Sequence, residues 1–95
     1  MMSDKELVSM LSDPMTRREG FAAMVHQYSE QLYWKIRHLV LTHEDTNDVL
    51  QNTFLKAWKS LDTFQGKSSM STWLYRIAVN EALDFLRKQK ALGSI

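Results

Sequence analysis

Three segments of the chain place apolar residues every three or four positions, the spacing of an α-helix that buries one face. The longest runs from about Met15 to Leu41, the next from about Asp45 to Leu61, and the last from Met70 to about Lys90. A shorter amphipathic segment covers residues 4–11, and Asp13-Pro14 ends it because the residue before proline avoids helical geometry. The pattern predicts an all-α fold, a compact bundle of three main helices with a short N-terminal helix that either packs loosely on it or moves freely.

The composition is typical of a single small helical domain. The 95 residues include one proline and three glycines, which favours long helices, and no cysteine, which excludes disulfides and thiolate metal sites. No apolar run is long enough to span a membrane and the N-terminus lacks a secretion signal, so a cytoplasmic location is expected. We predict one domain over residues 1–95, with an N-terminal segment at 1–14, a helical core at 15–90 and a frayed tail at 91–95.

A short loop joins the last two main helices, with the sequence Asp62-Thr63-Phe64-Gln65-Gly66-Lys67-Ser68-Ser69. Gly66 suits a turn because glycine adopts a positive φ without steric cost. Ser68 or Ser69 is placed to cap the last helix by accepting a hydrogen bond from a free backbone N–H. Phe64 has no apolar neighbour within the loop, so its ring either plugs the helical body or offers a face to a ligand.

The two halves of the chain differ in charge. Residues 1–52 carry five basic and eight acidic side chains, a net charge of −3, whereas residues 53–95 carry seven basic and three acidic ones, a net charge of +4. Such a chain can contact a basic protein and an anionic polymer at once, although ordinary solvated surfaces explain the same counts.

Aromatic and basic side chains gather around the loop: Lys56, Lys59, Phe64, Lys67, Trp73, Tyr75 and Arg76. Aromatic rings stack on bases and cations bind phosphates, so this mixture is typical of proteins that bind single-stranded nucleic acid. A further exposed stripe is predicted on the last helix at Thr72, Arg76, Asn80, Leu83 and Arg87. Asn80 is suited to read a base edge because an amide both donates and accepts, or it is a plain surface amide. Trp73 is expected at an inner position with one edge near this surface.

The middle helix offers a second candidate surface. Asp45 is the predicted N-cap, and Asp48 then lies near the first turn, where a carboxylate stabilises the helix dipole. The same region also suits a polar docking face, made of Asp48, Gln51, Asn52 and an exposed edge near Phe54. Trp58 shares the apolar stripe with Phe54 and is predicted to lie in the core.

Nothing in the sequence indicates an enzyme. The three histidines, His26, His38 and His43, include no pair four residues apart with a carboxylate, as a helix-borne zinc site would require. Three glycines do not form a phosphate-binding loop, and no serine lies in a strand-to-helix elbow. We therefore predict no catalytic residue, no metal and no cofactor.

Three runs of sequence resemble a known family. D-V-L-Q-x-T-F-x-K-A-W, L-D-x-F-x-G-x-S-S and T-W-L-Y-R-I-A-x-N follow one another with family-like gaps between about Phe21 and Lys90. They resemble conserved region 2 of bacterial RNA polymerase sigma factors, above all the extracytoplasmic-function class. Members of that family do no chemistry themselves. They bind core RNA polymerase, and they recognise and melt the promoter −10 element.

The resemblance implies partners and roles for named residues. The DNA-binding residues, expected on the non-template strand of the −10 element, are Lys56, Lys59, Phe64, Lys67, Ser68, Ser69, Trp73, Arg76, Asn80 and Arg87. The residues expected on the clamp coiled coil of the largest polymerase subunit are Asp48, Gln51, Asn52 and Phe54. The family usually has Glu where this chain has Asn52, which removes one charge from that contact. An anti-sigma factor is a further partner that the resemblance allows.

The family also has a second helical domain, which reads the −35 element and is absent from this sequence, so we expect the chain to be a piece of a longer protein. Two other functions remain open. A protein-interaction module would bind polymerase or an anti-sigma factor without reading DNA, but the basic loop argues against it. A helix-turn-helix repressor of duplex DNA would need a short turn and a polar recognition helix, which the long loop and apolar last helix do not offer.

Overall fold

The computed structural model describes residues 1–64 and 66–93, and the regular structure in those ranges is helical. Four α-helices follow in order, α1 (Asp4–Ser12), α2 (Arg17–Arg37), α3 (His43–Lys59) and α4 (Met70–Gly93), with a 3₁₀ turn at Leu61–Thr63 between the last two. The predicted all-α bundle is confirmed. The longest helix is α4, with 24 residues against 21 in α2, which differs from the expectation. Residues 91–93 continue α4, and the rest of the predicted tail lies outside the described residues.

One hydrophobic cluster joins the four α-helices. Each helix supplies fully or almost fully buried side chains: Leu7, Met24, Leu32, Ile36, Val49, Ala57, Met70, Leu74, Ala78 and Ala82. Two threonines of α3 are also buried, and their hydroxyls donate to backbone carbonyls one turn earlier, Thr46 to Thr42 and Thr53 to Val49, both at 2.7 Å. No buried side-chain nitrogen or oxygen in the described ranges lacks a hydrogen-bond partner.

The N-terminal helix α1 is an integral part of this core, so the expectation of loose packing is wrong. Leu7 is 0% exposed and Leu11 is 6% exposed. Gly20 permits the close approach of α1 to α2, because a Cβ at that position would lie 2.7 Å from Cβ of Met10. Gly20 is therefore a contact site between the two helices.

The N-cap of α3 lies three residues before the predicted one. Thr42 is the N-cap, and its hydroxyl accepts a hydrogen bond at 3.0 Å from the backbone N–H of Asp45. Asp45 consequently lies in the first turn rather than at the cap, and Asp48 falls in the second turn. The prediction that Asp45 caps the helix is wrong because a hydroxyl nearer to the loop takes that role.

The aromatic residues of α3 are arranged differently from the prediction. Trp58 is 40% exposed and rests with an edge-to-face contact on Phe21 of α2, with ring centroids 5.0 Å apart. Phe54 is 9% exposed and contacts the same ring at 6.4 Å. Trp58 is therefore a surface residue lying over the core, whereas Phe54 belongs to the core.

Within the described ranges, no helix combines the length and the apolar character that crossing a membrane requires.

Candidate nucleic-acid interface

The loop between α3 and α4 has the turn and the cap that the sequence predicts. Gly66 has a φ of +71°, the left-handed region that costs glycine little. Ser69 caps α4, since its hydroxyl accepts from the backbone N–H of Thr72 at 3.2 Å and bonds to the Thr72 hydroxyl at 2.9 Å. Gln65, which precedes Gly66 in the predicted loop, lies outside the described residues. The Ser69 hydroxyl is engaged in the cap, which leaves the hydroxyl of Ser68 as the nearest alternative for a ligand.

A cavity of about 190 Å³ opens at this loop. Its lining combines aromatic rings, hydroxyls and cations: Thr63, Phe64, Lys67, Ser68, Trp73 and Arg76. Five of these six residues are among the predicted DNA-binding residues, and they come from both sides of the loop. Thr63 was missed, although its position beside Phe64 in the loop was a usable signal.

Phe64 and Trp73 form the inner wall of the cavity. Their ring centroids are 5.0 Å apart and the rings are tilted by 49°. Trp73 is only 9% exposed and Phe64 is partly buried against the core. Of the two possibilities for Phe64, the ring plugs the helical body, while one part of it still borders the cavity. The inner position predicted for Trp73 agrees with its burial.

Five predicted DNA-binding residues lie outside this cavity, and one of them is Ser69, whose hydroxyl caps α4. Lys56 and Lys59 are exposed in the last turn of α3. Asn80 and Arg87 are exposed on α4, about 15 Å and about 25 Å along the helix axis from its start at the standard rise of an α-helix. Arg87 forms a surface ion pair with Asp84. The structure therefore brings together half of the predicted set and spreads the rest along two exposed surfaces.

Tyr75 does not belong to the loop surface where the sequence placed it. Its hydroxyl donates to Oε1 of Gln31 at 3.0 Å, and Nζ of Lys35 lies 5.8 Å from the centre of its ring. Both partners are on α2, so Tyr75 joins α4 to α2. The whole predicted stripe of α4, by contrast, is exposed: Thr72, Arg76, Asn80, Leu83 and Arg87.

The second candidate surface lies on α3. Asp48, Gln51 and Asn52 are exposed, as predicted. The exposed edge predicted near Phe54 does not include the Phe54 ring, which is buried. Leu55, which is 52% exposed, is the large apolar side chain beside the three polar residues. Its spacing from Asp48, two turns along the helix, was the signal that could have identified it.

No group of three or more His, Cys, Asp or Glu side chains in residues 1–64 and 66–93 is arranged to hold a metal ion.

Comparison with known proteins gives concordant matches. The family model described as Sigma-70 region 2 matches residues 24–92. The ECF RNA polymerase sigma-E factor of Salmonella typhimurium is 53% identical over 72 residues, which are 76% of this chain and 37% of that protein. The corresponding factor of Haemophilus influenzae is 38% identical over 72 residues, or 38% of its length. The chain thus spans a little over a third of the length of these curated relatives.

Among solved structures, an NMR structure of the complex formed by an engineered region 2 of sigmaE with GTAAAA resembles this fold. The TM-score is 0.86 at 32% sequence identity, and the match covers 99% of this chain and 96% of that one.

Proposed function

Because the chain belongs to the sigma-70 region 2 family, in its extracytoplasmic-function class, we propose that it binds core RNA polymerase and captures the promoter −10 element. The observation that carries the DNA part is the loop cavity. It unites aromatic walls, hydroxyls and two cations in a fold whose solved relative was determined with GTAAAA bound. The role belongs to the cytoplasm, where polymerase and promoter meet.

In this proposal the loop receives one unstacked base of the non-template strand. Lys67 and Arg76 neutralise phosphates on either side of the cavity, while the hydroxyls of Thr63 and Ser68 bond to the base edge. Unstacking a base costs a few kcal/mol, and contacts with aromatic side chains and hydrogen bonds offset that cost. Holding one strand in this way favours the melted promoter over the duplex.

The strand then follows the exposed stripe of α4. Arg76 and Asn80 lie one turn apart on this stripe, so a phosphate contact and a base contact could alternate along the helix. Lys56 and Lys59, at the end of α3, add positive charge on the other side of the loop. Among the proposed DNA-binding residues, Arg87 contributes least to strand binding, because it is already paired with Asp84.

Polymerase docking is assigned to the exposed side of α3. Asp48 supplies a charge, Gln51 and Asn52 supply hydrogen bonds, and Leu55 rather than Phe54 supplies the apolar contact. The proposed partner is the clamp coiled coil of the largest polymerase subunit. An anti-sigma factor that covered the same side chains would block docking.

The test is fluorescence anisotropy with a labelled single-stranded oligonucleotide containing GTAAAA, its scrambled version and its duplex, with and without core polymerase. We expect preference for the single-stranded GTAAAA probe. Asn80→Ala should change the preference between the two single strands, whereas Lys67→Ala should weaken both alike. Lys5→Ala, which removes an exposed cation from α1, is the control.

Polymerase binding without any single-strand preference would instead indicate a protein-interaction module. If Asn80→Ala weakens both single strands equally or neither, then Asn80 does not read sequence, and specificity belongs to the loop.

A further inference from the structure

The first residue of α4 obtains a hydrogen-bond acceptor from the other end of the chain. The backbone N–H of Met70 donates to Oδ2 of Asp4 at 2.8 Å, across 66 positions of sequence. The first N–H groups of a helix have no acceptor within the helix, so this carboxylate supplies one from outside. Its negative charge also faces the positive end of the dipole of α4, which makes the contact more favourable.

Asp4 is itself held by two other helices. It is the first residue of α1, whose start is closed by reciprocal hydrogen bonds between Ser3 and Glu6. Its other oxygen, Oδ1, accepts a hydrogen bond at 3.0 Å from the hydroxyl of Tyr28, a residue of α2 that is 7% exposed. One carboxylate therefore connects α1, α2 and the start of α4.

This connection lies where the loop ends. Lys67 and Ser68, which line the cavity, precede Met70 by three and two residues, and Trp73 of the cavity wall follows within one turn. The Met70 side chain is 0% exposed, so the chain is fixed there through both its side chain and its backbone. A shift of the Met70 backbone would move both sides of the cavity relative to each other.

We propose that Asp4 is a positioning residue for promoter-strand recognition: its carboxylate fixes the start of α4 and so keeps the cavity in its binding shape. The role rests on the proposed function, and it involves no contact between Asp4 and DNA. Without the carboxylate, binding of the strand must also order the loop, and the free-energy cost of this ordering lowers the affinity for the strand.

The test measures anisotropy of the single-stranded GTAAAA probe with the full chain, with and without core polymerase. Asp4→Ala should weaken binding by about three- to tenfold, the range expected for loss of a helix cap. Asp4→Asn keeps an acceptor oxygen and should weaken binding less. Asp13→Ala is the matched control, because it removes another carboxylate of the same region, at the exposed end of α1. Removal of a negative charge by itself strengthens binding to DNA. A weaker affinity of Asp4→Ala for the probe therefore indicates lost positioning, whereas a stronger affinity indicates a charge effect.

Two further readouts separate positioning from general destabilisation. Backbone hydrogen exchange at Met70 should accelerate in Asp4→Ala, while affinity for core polymerase should stay at the wild-type value. Tyr28→Phe keeps the contact with Met70 and should bind the probe nearly as wild type does.

Two results would overturn the role of Asp4 alone. One is that Asp4→Ala binds the probe as tightly as the wild type does. The other is that Asp4→Ala loses affinity for the probe and for polymerase by the same factor. If the wild-type chain fails to bind the probe both alone and with core polymerase, the proposed function itself is wrong, and the role of Asp4 is rejected with it.

Discussion

Tyr28 is the side chain through which α2 takes part in the contact between α1 and α4. Burial raises the pKa of its phenol, and the hydrogen bond to Asp4 and the charge of that carboxylate raise the pKa further. A phenolate at this position would lose the hydrogen bond that it donates and would face a carboxylate. The protonated phenol is therefore the form that the fold stabilises.

This shift predicts a loss of stability at high pH. A pKa raised on folding means that the stabilisation is complete below the unfolded value, about pH 10 for tyrosine, and is lost as pH rises through the folded pKa. Denaturant unfolding followed by circular dichroism from neutral to strongly alkaline pH should show this loss in the wild type. The loss should be smaller in Tyr28→Phe and unchanged in the control Tyr33→Phe. An identical alkaline loss in all three proteins would contradict the prediction.

The position of Trp58 leads to a second prediction at the scale of one residue. Its indole is 40% exposed, and its ring contacts that of Phe21 with centroids 5.0 Å apart. Trp58→Ala should therefore keep a cooperative thermal transition and lose about 1 kcal/mol, the worth of an aromatic pair and some buried area. Leu74→Ala, at a site that is 0% exposed, should lose about 2–5 kcal/mol. Equal losses in both variants would mean that Trp58 is buried after all.

At the scale of elements, α1 depends on its neighbours. It has nine residues, and isolated helices shorter than about 12 residues are marginal in water even with good caps. Its capping box is exposed, and the hydrogen bonds from the backbone and side chain of Ser3 lower the pKa of Glu6. The burial of Leu7 and Leu11 against the other helices is therefore what keeps α1 in place.

Gly20 offers a direct test of this dependence. In Gly20→Ala the new methyl group would lie 2.7 Å from Cβ of Met10, so α1 and α2 must move apart, at a cost of about 1–3 kcal/mol. Gly93→Ala is the matched control, because a Cβ there meets nothing within 4 Å. Chemical denaturation should show a loss for the first variant and none for the second. If both variants keep wild-type stability, the close approach of α1 to α2 does not matter.

At the scale of the whole molecule, the two proposed partners use different parts of the surface. The acidic half of the chain holds most of the α3 docking face, whereas the basic half holds the loop and α4. Asp48 is one acidic member of the first surface, and Lys67 is one basic member of the second. This division implies that binding of polymerase and of DNA can be impaired one at a time.

The corresponding prediction uses a double variant of the docking face and a single variant of the loop. Asp48→Ala with Gln51→Ala should weaken core polymerase binding in a titration and leave helicity intact, since Thr42 rather than Asp48 caps α3. Lys67→Ala should leave polymerase binding unchanged and should reduce the salt dependence of strand binding by about 0.7 in the log–log slope. If the double variant binds core polymerase with wild-type affinity, the docking assignment of Asp48 and Gln51 is wrong. If Lys67→Ala leaves the slope unchanged, the assignment of Lys67 to a phosphate is wrong. Loss of helicity in the double variant would show instead that Asp48 stabilises α3.

The sequence by itself determined the features that depend on local chemistry. Helical spacing predicted the bundle, Gly66 predicted the turn with positive φ, and Ser69 was one of the two predicted caps. These features could be read from the chain because propensity, capping and φ preference act over a few neighbouring residues. Phe64, Lys67, Trp73 and Arg76 of the predicted cluster line the loop cavity because they lie within a few positions of that loop, whereas Tyr75 contacts α2 instead.

Only the tertiary structure decided which apolar side chains are buried and which distant groups meet. Helix α3 has more apolar residues than one face can bury, so spacing alone did not separate Phe54, which is buried, from Trp58 and Leu55, which are exposed. The positions of the neighbouring helices make that choice. The bond from Met70 to Asp4 spans 66 positions, and no local pattern encodes it. It forms because α1 packs on the other helices through its buried Leu7 and Leu11, with the carboxylate of Asp4 at the start of α4.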